Sequence, residues 1–293
     1  MTRAALITLH GMGETARDYA DSMLDKVDNG LSEGERSELS IGVVYYQDLL
    51  QDNQRRVWDA CSSAQHLSFA DLRKFLLFGF GDAAGLETNK DDPGSTYEDA
   101  QLEIVRQLLM VRGATSSNPP LVVIAQSLGG QVFSDFIWDA QRARAAADDP
   151  AVPPPRAGIW QPGTLAARLG RMPSAQELSF LQGDTLSCIV TTGCNIPIFV
   201  AAHRAMNIKA IARPNDGFEW HNFFDPQDVL GWPLQPLGGG YETLVRDHSI
   251  NAGGILRSWN PLSHTAYWTD ADVVRPLLQQ LHRALAGPVR SDL

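Results

Sequence analysis

Val122 to Gly130 read VVIAQSLGG, and the fold class turns on this stretch. Leu121 to Ala125 are apolar without a break and follow the turn Ser116-Ser117-Asn118-Pro119-Pro120, which suits a parallel strand covered on both faces. From Gly129 the pattern becomes helical. A strand that passes into a helix within two or three residues must turn sharply, and the backbone then runs so close to itself that only small residues fit two before and two after the turning residue. Those positions hold Ala125 and Gly129, and Gly130 leaves further room for the helix to pack. Ala125 stands where the pattern G-x-S-x-G has its first glycine, a departure of one methyl group.

Working outward, Ala4 to Leu9 is a second apolar run and ends in His10-Gly11-Met12-Gly13. Ala16, Tyr19, Ala20, Met23, Leu24 and Val27 then recur at helical spacing, with Thr15 as N-cap and Asp18 in the first turn. Ile41 to Tyr46 is β-branched and aromatic, a strand; Thr96 caps a helix with Tyr97, Ala100, Ile104, Leu108 and Val111 on one face, ending near Gly113. Leu186 to Thr192, Glu219 to Phe224 and, more weakly patterned, Leu244 to His248 are further strands. Asp270 to Ala286 closes the chain as a helix that Pro276 is expected to kink. Strands alternating with helices call for an α/β fold with a mostly parallel central sheet, right-handed crossovers and helices on both faces, in one domain over 1–293. Ser68 to Asp92 and Pro150 to Gly183 break the rhythm. Long non-periodic insertions in compact domains tend to be functional loops, and 150–183 reads as a lid or cap.

Composition excludes several partners. A net charge of −10 and an isoelectric point near 5.1 argue against a phosphate-binding surface, which needs clustered Lys and Arg, so no nucleic-acid partner is expected. No run approaches the roughly 20 apolar residues that span a bilayer, so no integral membrane segment is expected. Ala4 to Leu9 is too short for the core of a signal peptide. Cys61, Cys188 and Cys194 show no metal-binding or redox spacing. A soluble, reduced, cytoplasmic protein is the expectation, with Cys188 a small buried hydrophobe.

A serine hydroxyl is a weak nucleophile that needs a general base held against it, and a sharp strand-to-helix turn presents it for that purpose. With Leu6 to Gly13 (LITLHGMG) forming a strand followed by HGxG, the sequence resembles the α/β-hydrolase superfamily. The resemblance implies that Ser127 is the nucleophile and that the backbone N–H groups of Met12 and Leu128 form the oxyanion hole. It also implies the order Ser, acid, His after successive strands. Asp228, in Asp225-Pro226-Gln227-Asp228 after the strand-like EWHNFF, is the expected acid, and His264, in Asn260 to Trp268 (NPLSHTAYW), the expected base. Asp225 is an alternative acid. His248, beside Asp247, is an alternative base, although a structural role for it and a solvated turn for Asp247 are the stronger readings. His10, His66, His203, His221 and His282 read as core-edge or surface residues, and His221 with Asn222 as braces for the acid loop.

The aromatic residues Trp160, Trp220, Trp232, Trp259, Trp268, Phe218 and Tyr267 flank these segments and are candidates for the wall of an apolar acyl pocket, each also open to plain core packing. The resemblance implies a serine hydrolase, esterase-like or lipase-like, cleaving a small-molecule carboxylic ester through an acyl-serine, with no metal and no organic cofactor required. The same triad serves a thioesterase, an amidase or an acyltransferase. A non-catalytic member of the fold that binds a ligand is the alternative of a different class.

Overall fold

A computed structural model of the chain describes residues 2–113, 117–202, 208–252 and 266–287. The strands are β1 (Ala4–Leu9), β2 (Leu39–Val44), β3 (Leu121–Gln126), β4 (Leu186–Thr192), β5 (Glu219–Phe224) and β6 (Val245–Ser249). The helices up to β3 are α1 (Asp21–Gly30), α2 (Glu33–Glu38), α3 (Gln47–Leu50), α4 (Asp52–Ala64), α5 (Ala70–Glu87) and α6 (Thr96–Arg112). Beyond it come α7 (Leu128–Asp148), α8 (Thr164–Leu169), α9 (Ala175–Leu181), α10 (Ile196–Ala202), α11 (Tyr241–Leu244) and α12 (Ala271–Ala286).

The six strands form one open sheet in the order β2-β1-β3-β4-β5-β6, every pair parallel. Side chains alternate across it as a period of two requires. Ala5, Ile7 and Leu9 of β1 and Leu121, Val123 and Ala125 of β3 enter one apolar layer with α6 and α7. Ala4, Leu6, Val122 and Ile124 enter the opposite layer with Met23 and Val27 of α1 and Val273, Leu277 and Leu281 of α12. Both faces of β1 and β3 are therefore dry, and this is why their sequences are continuous apolar runs rather than alternating ones. The fold is α/β with helices on both faces, as the alternation of elements predicts. Among the described residues no helix is long and apolar enough to cross a membrane.

Strand order reverses between β1 and β3: from β1 the chain goes to one edge, and from β3 it proceeds to the other. In open parallel sheets the crevice beyond the carboxyl ends of two such strands is where ligands bind, because the loops there leave in opposite directions. The turns carrying His10 to Gly13 and Ser127 leave from these two strand ends.

Some local expectations need correction. Helix α1 begins at Asp21, and Ala20 rather than Thr15 is its N-cap. Ser95, one residue before Thr96, caps α6 by accepting the Glu98 N–H. Ser68 to Asp92 contains the 18-residue α5, which a periodicity reading misses because its apolar residues are not confined to one face: Leu72, Leu76 and Phe80 are exposed while Phe78 and Leu86 are buried. Segment 150–183 contributes α8 and α9 and packs on α6 and α7. The Ile159 N–H donates to Gln101 Oε1 (2.8 Å), Arg168 pairs with Glu98 and Asp99, and the Trp160 ring lies 5.4 Å from that of Phe136. Helix α12 takes Asp270 as its N-cap and carries Pro276 within it.

Candidate functional site

Ser127 joins β3 to α7 with φ 51° and ψ −122°, a conformation a non-glycine residue rarely holds and one costing on the order of 1–3 kcal/mol. Its surroundings impose it. The Ser127 N–H donates to Thr192 O (2.9 Å), Ser127 O accepts the Gly130 N–H (3.0 Å), and β3 is paired on both sides. The small residues of the motif are explained by what lies against them. A Cβ on Gly129 would stand 2.5 Å from His10 O and 3.0 Å from Leu9 O, and one on Gly130 would stand 3.0 Å from Cys194 Sγ. Ala125 is fully buried between β1 and β4.

The serine side chain is itself buried, and its Oγ makes no hydrogen bond among the described residues. A hydroxyl out of water without a partner forfeits stability, so a fold rarely leaves one idle. Leu128 opens α7, and its amide is one of the first-turn N–H groups that a helix cannot satisfy internally. The positive end of the 21-residue helix dipole lies at the same point.

Opposite it runs His10-Gly11-Met12-Gly13. Gly11 lies against the serine: a Cβ there would be 2.8 Å from Ser127 Cβ and 3.4 Å from Ser127 Oγ. His10 is buried and accepts the Tyr46 N–H at Nε2 (3.2 Å). Its Nδ1 therefore carries the hydrogen and donates to Gly11 O (2.8 Å). Gly11 O and the Met12 N–H belong to one planar peptide, so His10 fixes the direction in which Met12 presents its amide. Burial lowers the His10 pKa to about 4, which keeps the ring neutral and this tautomer in place. Tyr46 adds a bond from its hydroxyl to His10 O (2.6 Å). His10 is thus a buried positioning residue, not the core-edge or surface residue that its sequence context suggests.

Asp225 and Asp228 occupy the turn after β5, two strand spacings or about 10 Å from the end of β3. Both are buried. Tyr267 ties them together, accepting the Asp225 N–H (2.9 Å) and donating to Asp228 Oδ2 (3.0 Å). Burial, with Asp228 beside it, pushes the Tyr267 phenol above its ordinary range, so this donor keeps its proton. Asp228 Oδ1 also accepts the Leu230 N–H (3.0 Å). Asp225 uses one oxygen for the Gln227 N–H (2.8 Å) and the other for the Ala252 N–H (2.9 Å), as a loop brace does. His264 lies in 253–265, outside the described residues. The described chain on either side of that segment, at Ala252 and at 266–269, is held by Asp225 and Asp228.

His248, the alternative base, sits on β6 opposite Phe223, three strands or about 14 Å from the level of Gln126. Its Nε2 shares a hydrogen with His221 Nδ1 (2.9 Å) and its ring stacks on Phe223. The structure does not bring it to Ser127. Asp247 is not a solvated turn residue: it accepts the N–H groups of Leu234 and Gln235 and the side-chain amide of Asn222. Asn222 also donates to Trp232 O (3.0 Å) and so braces the segment beyond Asp228, whereas His221 pairs with Glu219.

A cleft of about 290 Å³ opens beside these turns, lined by Gly11, Met12, Thr15, Tyr19, Gln126 and Trp268 among others. Trp268 is the one described aromatic of the flanking set that lines it. Trp160, Trp220 and Phe218 are core residues, Trp232 is exposed, Tyr267 serves the acid loop, and Trp259 is outside the described residues. Burial pushes the Cys194 thiol, under Gly130, up to about 12, so it is no rival nucleophile. Cys188 is a fully buried small hydrophobe whose thiol burial also pushes up. Among the described residues no group of three or more His, Cys, Asp or Glu is placed to hold a metal ion.

Comparison of the chain with protein-family models and with curated proteins gives no match.

Two residues here, Asp82 and Asn195, are absent from the sequence candidates, and two that are among them, His10 and Tyr267, play a different part from the one read for them. Asp82 accepts the Gly13 N–H (2.9 Å) from α5, in a stretch read as irregular. Tyr267 reads as an aromatic of the pocket wall and His10, the first residue of HGxG, as a core-edge or surface residue, and neither reading contains the hydrogen bonds that the side chain makes. Asn195 stands immediately before α10 and is fully buried, with neither amide atom hydrogen-bonded among the described residues. An Asn directly before an apolar helix reads as an N-cap, and that signal conceals its orphaned side chain.

Proposed function

We propose that the chain is a serine hydrolase of α/β-hydrolase type that cleaves a small-molecule carboxylic ester through an acyl-Ser127 intermediate. The observation that carries this reading is Ser127 itself. It is a non-glycine residue at φ 51°, at the switch point of a parallel sheet, with a buried Oγ that has no hydrogen bond among the described residues and lies against a glycine of the turn from β1.

In this reading Ser127 Oγ attacks the acyl carbon and its proton passes to His264. The carbonyl oxygen becomes an oxyanion and accepts from the Met12 and Leu128 N–H groups, each worth about 3–4 kcal/mol of barrier. Asp228 accepts the other ring hydrogen of His264 and stabilises the imidazolium. The intermediate collapses, the C–O bond breaks, and the alcohol leaves with the proton from His264. Water then attacks the acyl-serine, giving its proton to His264, and collapse releases the acid and restores Ser127. The cleft beside Gln126 and Trp268 would take the substrate. A cytoplasmic setting accords with three cysteines that are free thiols.

A fluorophosphonate probe tests this directly. The wild-type protein should be labelled on Ser127 and should turn over p-nitrophenyl acetate, and Ser127→Ala should do neither. Absence of an adduct on Ser127 would remove the enzyme reading.

A further inference from the structure

Gln47 opens α3, Gln51 stands between α3 and α4, and Gln54 lies in the first turn of α4, and the three long amides converge on one point. Apolar residues would serve core packing there. Instead these amides meet a carboxylate. Asp82 is fully buried, Gln47 and Gln51 equally so, and Gln54 is 8% exposed. Nε2 of Gln51 donates to Asp82 Oδ2 (3.2 Å), Nε2 of Gln47 to the same oxygen (3.4 Å), and Nε2 of Gln54 to Oδ1 (3.3 Å). The Oε1 atoms of all three have no partner among the described residues. Among the described residues three acceptors go without a bond while three donors face one acid.

The shortest bond to that acid comes from elsewhere. The Gly13 N–H donates to Asp82 Oδ2 at 2.9 Å, with Gly13 at φ 91°. Burying a carboxylate behind neutral donors costs stability that an apolar residue in its place would not, so the arrangement calls for a reason beyond packing. The same helix touches the residue before. A Cβ on Gly79 would stand 3.0 Å from Met12 Sδ, one turn from Asp82, so α5 grips Met12 by its side chain and Gly13 by its amide. His10 holds the peptide on the other side of Met12 through Gly11 O. Met12 is thus fixed at both flanking peptides.

We propose that Asp82 is a positioning residue for the turn at Met12: its carboxylate, aimed by Gln47, Gln51 and Gln54, holds the Gly13 N–H and so keeps the Met12 N–H directed at the Ser127 reaction centre. The inference rests on the reading of Ser127 as nucleophile and adds a regulated element to it. Burial lifts the Asp82 carboxyl to about 6, against its hydrogen bonds from Gly13, Gln51 and Gln47 and the charge of Arg55 on α4. The clamp is therefore ionised at neutral pH and loses its charge just below it. The other ionisable groups around it are Tyr46 ahead of α3, whose phenol stays protonated through burial, and, in the turn, His10, neutral above about 4, and Glu14 in its ion pair with Lys74 of α5. His10 and Tyr46 each keep one charge state through the window near pH 6.

The test uses the full-length protein labelled with ¹⁵N-glycine, with the Gly13 amide proton followed by NMR from pH 4.5 to 8. In the wild type its shift should titrate with a midpoint near 6, and in Asp82→Asn it should be flat. Gln51→Leu, which removes one donor and leaves the acid, should move the midpoint upward. In parallel, Asp82→Asn should slow fluorophosphonate labelling of Ser127 and lower kcat by roughly tenfold with KM within about twofold, as expected for a group acting on the transition state alone. A Gly13 shift that ignores pH in the wild type, a midpoint unmoved in Gln51→Leu, or an Asp82→Asn variant that labels at the wild-type rate would each overturn the proposal. Should Asp82→Asn fail to fold, Gln51→Leu decides on its own midpoint. A wild type that is never labelled removes the nucleophile reading, while the Gly13 titration still reports the clamp.

Discussion

Gly11 and Ser127 are packed so closely that a β-carbon on the glycine would lie 2.8 Å from that of the serine, closer than two such atoms come in folded proteins. Neither can retreat, because Gly11 O is held by His10 and the Ser127 N–H by Thr192 O. Gly11→Ala should therefore move the turn rather than fill a space. The expected result is a protein destabilised by about 1–3 kcal/mol, the usual cost of overpacking, that remains folded. Its kcat on an activated ester should fall by roughly a hundredfold, one oxyanion donor's worth. Thermal melts and steady-state kinetics check both, and wild-type kcat in a destabilised protein would contradict the placement of this turn at the reaction centre.

Tyr267 gives the acid loop its own test. Its hydroxyl accepts from the backbone of Asp225 and donates to the carboxylate of Asp228, so removing one oxygen strands a buried donor and loosens a buried acceptor. Tyr267→Phe should cost about 1–3 kcal/mol in denaturant melts, and kcat should drop while the ring keeps its packing. Asp228→Asn should lower kcat by about 10⁴-fold with little change in stability, the effect of a base held in the wrong tautomer. Asp225→Asn, which weakens the brace on Ala252 and Gln227, should register mainly in stability. A reversal of the two aspartates in kcat would transfer the acid role to Asp225.

His248→Ala should leave kcat within about twofold of wild type, since about 14 Å of sheet separates it from the level of Gln126, next to Ser127. Its loss should instead lower the melting temperature, because it stacks on Phe223 and bonds His221. Loss of turnover without loss of stability would return His248 to the list of bases.

What could be read beforehand followed the physics of each element. β1 and β3 are mainly apolar runs because both their faces are covered, and such runs bounded by turn residues are legible in a sequence. The elbow at Ser127 was legible because its clashes dictate residue type: Ala125, Gly129 and Gly130 are small on account of His10 O, Leu9 and Cys194. Helix α5 was not, since Phe75-Leu76-Leu77-Phe78-Gly79-Phe80 shows no polar face and carries two further glycines nearby. The supports at Asp82 and Tyr267 were hidden for another reason. Each acts through a bond to backbone or to one carboxylate across 69 or 39 residues of sequence, and long-range pairing of single side chains leaves no local pattern.

His10 and Asp82 brace the same turn from opposite sides and respond to acid in opposite directions. His10 has its pKa lowered from 6.5 to about 4, so below pH 6.5 the unfolded chain takes up a proton that the folded one refuses until about 4. Stability falls as pH drops through that window, by about 3 kcal/mol in all. Asp82 has its pKa raised from 3.8 to about 6, so below pH 6 the folded protein binds a proton that the unfolded chain refuses until about 3.8. Stability rises over nearly the same window, again by about 3 kcal/mol. The two slopes oppose, and their joint contribution between pH 6.5 and 4 should be close to flat. Replacing either exposes the other. In melts at pH 7 and pH 4.5, Asp82→Asn should lose more melting temperature on acidification than wild type does, and His10→Gln should lose less. If both variants track the wild type across that range, the turn is not held between two buried groups of opposite response.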